Sequence, residues 1–89
     1  MDKAEIIFYA TEWCPDCIRS RKLLEINHVP YQWINIDKDK TAKQYVRNIN
    51  HGNASVPTIV FPDGSILVEP SDAELINHLD QNYDYKSIM

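Results

Sequence analysis

Both cysteines of this chain fall within five residues, Trp13-Cys14-Pro15-Asp16-Cys17, and that stretch separates two runs of different periodicity. Before it, Ile6-Ile7-Phe8-Tyr9-Ala10 is apolar and rich in β-branched and aromatic residues. It reads as a strand, about Glu5 to Tyr9, buried on both faces. After it, Ile18 to Ile26 has helical character: Cys17, Ser20 and Leu24 share one face with Leu23 beside it, and Arg19 and Lys22 fall on the other. A helix that begins near Cys14 accepts Pro15 at its first position, because proline has no N–H to leave unpaired and its φ is already helical. The junction therefore puts the Cys14 sulfur at a helix N-terminus. Unpaired backbone N–H groups and the positive end of the helix dipole meet there, and both favour the reactive thiolate. Cys17, one turn further in, receives fewer free N–H groups and is expected to be the more buried of the two. Asp16 opposes the effect, as a negative charge close to the developing thiolate.

The rest of the chain supplies alternating strands and helices. The first helix is expected to end near Asn27-His28, with Asn27 in the left-handed capping conformation and Pro30 blocking continuation. Tyr31 to Ile36 reads as a second strand, parallel to the first across a βαβ unit. Asp37 or Asp39 can cap a second helix, on which Ala42, Tyr45, Val46 and Ile49 form an apolar stripe. That helix stops at Asn50-His51-Gly52-Asn53, and His28 and His51 read as helix-end or surface residues. Val56 to Phe61 is a third strand, Pro62-Asp63-Gly64-Ser65 a tight turn, and Ile66-Leu67-Val68 a fourth strand in a hairpin with the third. Ser71 and Glu74 have the spacing of a capping box opening a last helix, which buries Leu75, Ile76 and Leu79. From Asn82 the chain is expected to fray. The order β-α-β-α-β-β-α predicts an α/β fold, a four-stranded mixed sheet with helices on both faces, as a single domain over 1–89 with its core at about 5–80.

Composition narrows the function classes. A chain of 89 residues builds one modest core. A net charge of −4 with no basic block argues against nucleic acid as a partner. No apolar run approaches the roughly 20 residues that span a bilayer, so no membrane partner is expected. The charged start, Met1-Asp2-Lys3-Ala4-Glu5, does not read as a signal peptide, and a cytoplasmic monomer is the default expectation. In that reducing setting a close cysteine pair is more often catalytic or metal-binding than structural. Two cysteines so near in sequence close too short a loop to restrict the unfolded chain much.

The element order, with Cys14-Pro15-Asp16-Cys17 after the first strand and Ser55-Val56-Pro57-Thr58 before the third, resembles the thioredoxin fold in its short glutaredoxin form. Val56-Pro57-Thr58, Phe61-Pro62-Asp63-Gly64-Ser65 and Pro70-Ser71 together look most like the mycoredoxins and related glutaredoxin-like proteins. The resemblance implies a cis Val56-Pro57 bond facing the active-site sulfurs. It implies a low-molecular-weight thiol held by the Val56 backbone and by Ser71 and Asp72 at the last helix, Asp72 taking the ligand's amine and the helix amides its carboxylate. Glutathione-type glutaredoxins usually carry Lys where this chain has Thr11, and an aromatic residue where it has Asp16. Those departures remove features that bind glutathione, and leave the small thiol open between glutathione and mycothiol.

The chemistry expected is thiol–disulfide exchange, with Cys14 the nucleophile and Cys17 or a second small thiol resolving the mixed disulfide. Trp13, Pro15, Asp16 and Pro57 support the site, and Thr11, Val56, Ser71 and Asp72 are the candidate thiol-ligand residues. No tightly bound cofactor is expected, the small thiol acting as co-substrate. Partners are protein disulfides or mixed disulfides, with a small thiol and its reductase, or thioredoxin reductase, as the electron source. Three other readings of the cysteines stand beside this one. They could be an inert core pair, a zinc site, which would need four ligands, or half of an iron–sulfur cluster bridged by a dimer. The remaining alternatives for the chain are a non-catalytic thiol- or cluster-binding module and a thioredoxin-like electron carrier. Trp13 reads equally as a lip for substrate or as packing, and Arg47 as an exposed arginine on the second helix.

Overall fold

The computed structural model describes residues 5–82. Seven elements follow in the order β1 (Ile6–Ala10), α1 (Pro15–Ile26), β2 (Tyr31–Asn35), α2 (Lys40–Ile49), β3 (Thr58–Val60), β4 (Ile66–Val68) and α3 (Asp72–Asn82). The sheet order is β2-β1-β3-β4. Phe8 of β1 lies opposite Trp33 of the parallel β2 and opposite Ile59 of the antiparallel β3, and Ile59 in turn lies opposite Leu67 of β4. This is the mixed sheet the sequence predicts.

The pleat of β1 sorts the core. Ile6, Phe8 and Ala10 point to one face and are buried with Cys17 and Leu24 of α1, Ile59 of β3, and Leu75 and Leu79 of α3. Tyr9 points to the other face, against Ala42 and Val46 of α2 and Ile36. α1 and α3 therefore share one side of the sheet and α2 covers the opposite side. Phe8 is fully buried and its ring stacks on Trp33 at 5.1 Å between centroids, so β1 is fixed both by its ladders and by its aromatic neighbours. Each large apolar side chain closed off in this way contributes about 1.5–3 kcal/mol of burial.

Several boundaries differ from those read in the sequence. β1 is shifted one residue, to Ile6–Ala10. β2 ends at Asn35 instead of Ile36, because the Asn35 side chain accepts the Asp37 amide at 2.9 Å and turns the chain. β3 is shortened to Thr58–Val60. Pro57 has no N–H to give a ladder, and the Phe61 amide bonds the Ser65 carbonyl at 2.8 Å as the hairpin closes. At the end of α1 the left-handed residue is His28, with φ 57°, and Asn27 has φ −92°. The His28 amide bonds Glu25 O at 3.1 Å and the Val29 amide bonds Leu24 O at 2.9 Å. This is a Schellman closure, which places the positive φ one residue beyond the cap and drops Val29 into the core.

Other local readings hold. Asp39, rather than Asp37, caps α2 by accepting the Ala42 amide at 2.9 Å. The Ser71 hydroxyl accepts the Glu74 amide at 3.1 Å, and Glu74 accepts the Ser71 amide at 2.8 Å, which completes the capping box of α3. Gly64, with φ 91°, supplies the conformation the hairpin turn needs. The tail expected to fray lies outside the described residues beyond Asn82. Among the described residues no helix is long and apolar enough to cross a membrane.

Candidate active site

Cys14 is the N-cap of α1. Its backbone is extended, with φ −83° and ψ 116°, and its sulfur accepts the Cys17 amide at 3.2 Å. The sulfur thus fills the place a serine or aspartate oxygen takes at other helix starts, facing amides that have no intrahelical partner. Pro15 follows at the first helical position and needs no such partner. On its other side the Cys14 thiol points to the Val56 carbonyl, 3.9 Å away. The Val56-Pro57 bond is cis, as the resemblance implied.

The two sulfurs differ in access. Cys17 is fully enclosed and Cys14 keeps 6% of its surface exposed. The order is the one expected from helix position, but Cys14 is far less open than a helix end alone suggests, because the chain at Val56 closes over it. Burial pushes the Cys17 thiol up to about 12, the hydrogen bond with Cys14 adds to that, and the Thr11 backbone acts against it. Cys17 therefore holds its proton through the neutral pH range. Both thiols are free.

The residues around the pair divide into a rim, a floor and a flank. Trp13 is 70% exposed, and its indole N–H donates to Asp37 Oδ2 at 2.8 Å. The ring is therefore tied to the β2–α2 loop beside Cys14 and is not part of the core. Pro15 and Asp16 are exposed on the same rim. Pro57 and Thr11 form the floor, both buried. Thr11 was a candidate ligand residue, but its hydroxyl is enclosed without a hydrogen-bond partner, so it sits beneath the site and not on the surface a ligand meets. Val56 is half-buried, with its carbonyl toward Cys14.

The flank is the start of α3. Ser71 and Asp72 are exposed there, and the Ser71 hydroxyl is already engaged with Glu74. Asp72 is hydrogen-bonded to Arg19 of α1. The same guanidinium donates to the Pro70 carbonyl at 3.1 Å and lies 3.5 Å from Asp16. Arg19 falls on the α1 face away from Cys17, Ser20 and Leu24, yet it joins the Cys-Pro-Asp-Cys turn to α3. Its spacing from Asp16 offered half of that contact as an i,i+3 pair. The half that reaches Asp72, 53 residues on, has no sequence signal. Glu69 is a second residue the sequence did not mark. It has φ 49°, and its amide bonds the Pro57 carbonyl at 2.9 Å, which ties the entry of α3 to the floor of the site. Arg47 lies exposed on α2, and His28 and His51 are exposed at helix ends. Among the described residues no three His, Cys, Asp or Glu side chains gather as a metal site would require.

Known proteins place this geometry in context. Residues 6–66 match the family model described as glutaredoxin. A protein of Mycobacterium tuberculosis provisionally named a glutaredoxin is 37% identical over 75 residues, covering 84% of this chain and 89% of that protein. Mycoredoxin 1 of Corynebacterium glutamicum is 38% identical over 74 residues, covering 82% and 90%. The crystal structure of a glutaredoxin from Archaeoglobus fulgidus superposes with a TM-score of 0.71 at 29% identity, covering 83% of this chain and 84% of that one. With its paired cysteines at the head of α1 and a cis Val-Pro bond facing them, the chain belongs to the glutaredoxin family of thiol–disulfide oxidoreductases.

Proposed function

We propose that Cys14 reduces disulfides of protein clients, or their mixed disulfides with a small thiol, and that Cys17 completes the exchange. The observation that carries this is the Cys14 sulfur held against the free Cys17 amide at 3.2 Å, with the second thiol enclosed behind it. That amide and the helix start stabilise negative charge on sulfur, which is what the attacking and departing states of Cys14 both carry.

In the first step the Cys14 thiolate attacks one sulfur of the disulfide. A bond from Cys14 to that sulfur forms, the original S–S bond breaks, and the other half leaves as a thiolate that takes a proton. In the second step Cys17 gives up its proton and attacks the Cys14 sulfur. The client's second thiol departs reduced, and Cys14 and Cys17 are left joined, oxidised by two electrons. Because Cys17 holds its proton so firmly, proton removal accompanies bond formation, and the departing thiolate is the natural acceptor. Two equivalents of a small thiol, or a thioredoxin reductase, return the pair to the dithiol.

The likeness to mycoredoxin 1 supports mycothiol beside glutathione as that thiol. Val56 offers its backbone and Ser71 the helix start as the ledge for it, Trp13 forms the lip, Pro15 and Asp16 shape the turn, and Pro57 lies in the floor. Asp72 reaches an incoming amine only by sharing its carboxylate with Arg19.

The test is a panel of mixed disulfides of different small thiols offered to the wild type, Cys14→Ser and Cys17→Ser proteins. Turnover lost in Cys14→Ser is expected, and the thiol turned over fastest identifies the co-substrate. No turnover with any member, together with absorbance near ~400 nm after reconstitution with iron and sulfide, would replace this reading with a cluster-binding module.

A further inference from the structure

We infer that Arg19 is a positioning residue that sets the charge an anionic thiol or disulfide meets on reaching Cys14. The inference deepens the reaction proposed above and rests on it.

Four acidic side chains stand on or beside the exposed rim of the cysteine turn. Asp16 lies between the two cysteines, Asp37 holds the Trp13 indole, and Asp72 begins α3. Glu12, next to Trp13, is also exposed. Arg19 is the cation hydrogen-bonded into this group. One arm of its guanidinium serves Asp72, and the other serves the Pro70 carbonyl at 3.1 Å and lies 3.5 Å from Asp16. A guanidinium shared among three acceptors, Asp16 on α1, the Pro70 carbonyl just before α3 and Asp72 at its start, has far less freedom than a single surface pair. The Glu69 amide fixes the same segment from behind by bonding Pro57 O at 2.9 Å. The positive charge is thereby held at a constant place between the cysteine turn and α3.

Without it, Asp16 and Asp72 face the approach to Cys14 uncompensated. Thiolates and carboxylate-bearing thiols are anions, so the loss falls on them and not on neutral reactants. The effect is electrostatic and acts at an exposed rim, so it fades in concentrated salt.

The experiment compares two alkylating reagents that differ in charge, neutral iodoacetamide and anionic iodoacetate, on the reduced full-length protein. Both consume the same Cys14 thiolate, so its concentration cancels in the ratio of their rates, and the enclosed Cys17 does not compete. The iodoacetate-to-iodoacetamide ratio is expected to fall about threefold in Arg19→Gln at low salt. It should return toward wild type in Arg19→Lys, and the difference should vanish near ~1 M salt. Thermal unfolding of each variant shows that it is folded, and a loss of packing alone would not move the ratio. A ratio indifferent to Arg19 in folded protein, or a Lys variant that behaves like Gln, overturns this inference alone. A wild type inert to both reagents overturns it together with the nucleophile assignment.

Discussion

The Cys14 sulfur and the Val56 carbonyl oxygen lie 3.9 Å apart, although 42 residues separate them in the chain. The helix start presents the sulfur, and the segment before β3 lies against it, leaving Cys14 6% exposed. The polar contacts of the Cys14 sulfur and its narrow exposure come from these two sources, one local and one distant.

The enclosed Cys17 makes stability depend on alkaline pH. Its folded-state value, about 12, lies above the ordinary 9.0. Between those values the folded protein keeps a proton that the unfolded chain gives up, so stability falls as pH rises. The contribution is fully present below pH 9.0 and is lost progressively toward about 12. Urea unfolding of the reduced protein at neutral pH and at successively higher pH should show this decline, and it should be shallower in Cys17→Ala. Parallel slopes for the two proteins would contradict the burial argument.

The Trp13 indole is held at the rim by Asp37, and the bond is exposed. Asp37→Ala should therefore cost no more than about 1 kcal/mol of stability. It should slow reduction of a protein disulfide more than that of hydroxyethyl disulfide, because only the larger substrate spans the lip. Equal slowing of both substrates would assign the ring no part in client contact.

Ser71 completes the capping box at the start of α3. Ser71→Ala should destabilise the protein by about 1 kcal/mol. If the helix start also forms the thiol ledge, KM for the small thiol rises while reduction of the pair by dithiothreitol is unchanged. A stability loss with an unaltered KM would reduce Ser71 to its structural role.

Ser20 is fully buried on α1, and its hydroxyl has no hydrogen-bond partner. Ser20→Ala removes an unsatisfied polar group and improves helix propensity, so it should stabilise the protein by about 1 kcal/mol. The midpoint of urea unfolding measures this directly. A loss of stability would reveal a bond to ordered water at that site.

Local sequence carried much of the fold. The apolar β-branched and aromatic run in Ile6–Ala10, the proline after Cys14, the Ser71–Glu74 spacing and the glycine of the Pro62–Ser65 turn act over one or two turns of chain, so their outcomes are legible in order. The cysteine pair and its place at a helix start were legible for the same reason. Boundaries failed where a competing tertiary bond decided them. His28 took the left-handed cap because Val29 was needed in the core, and β3 lost its ends to Pro57 and to the turn.

Sequence alone thus determined where the cysteine pair sits and what backbone holds it, because helix capping depends only on near neighbours. The tertiary structure decided how far Cys14 is exposed, that Thr11 lies beneath the site, and that Arg19 is spent on Asp16 and Asp72. Those outcomes depend on the packing of β3 and α3 beside α1. No spacing along the chain encodes the distance between segments that meet only after the sheet has formed.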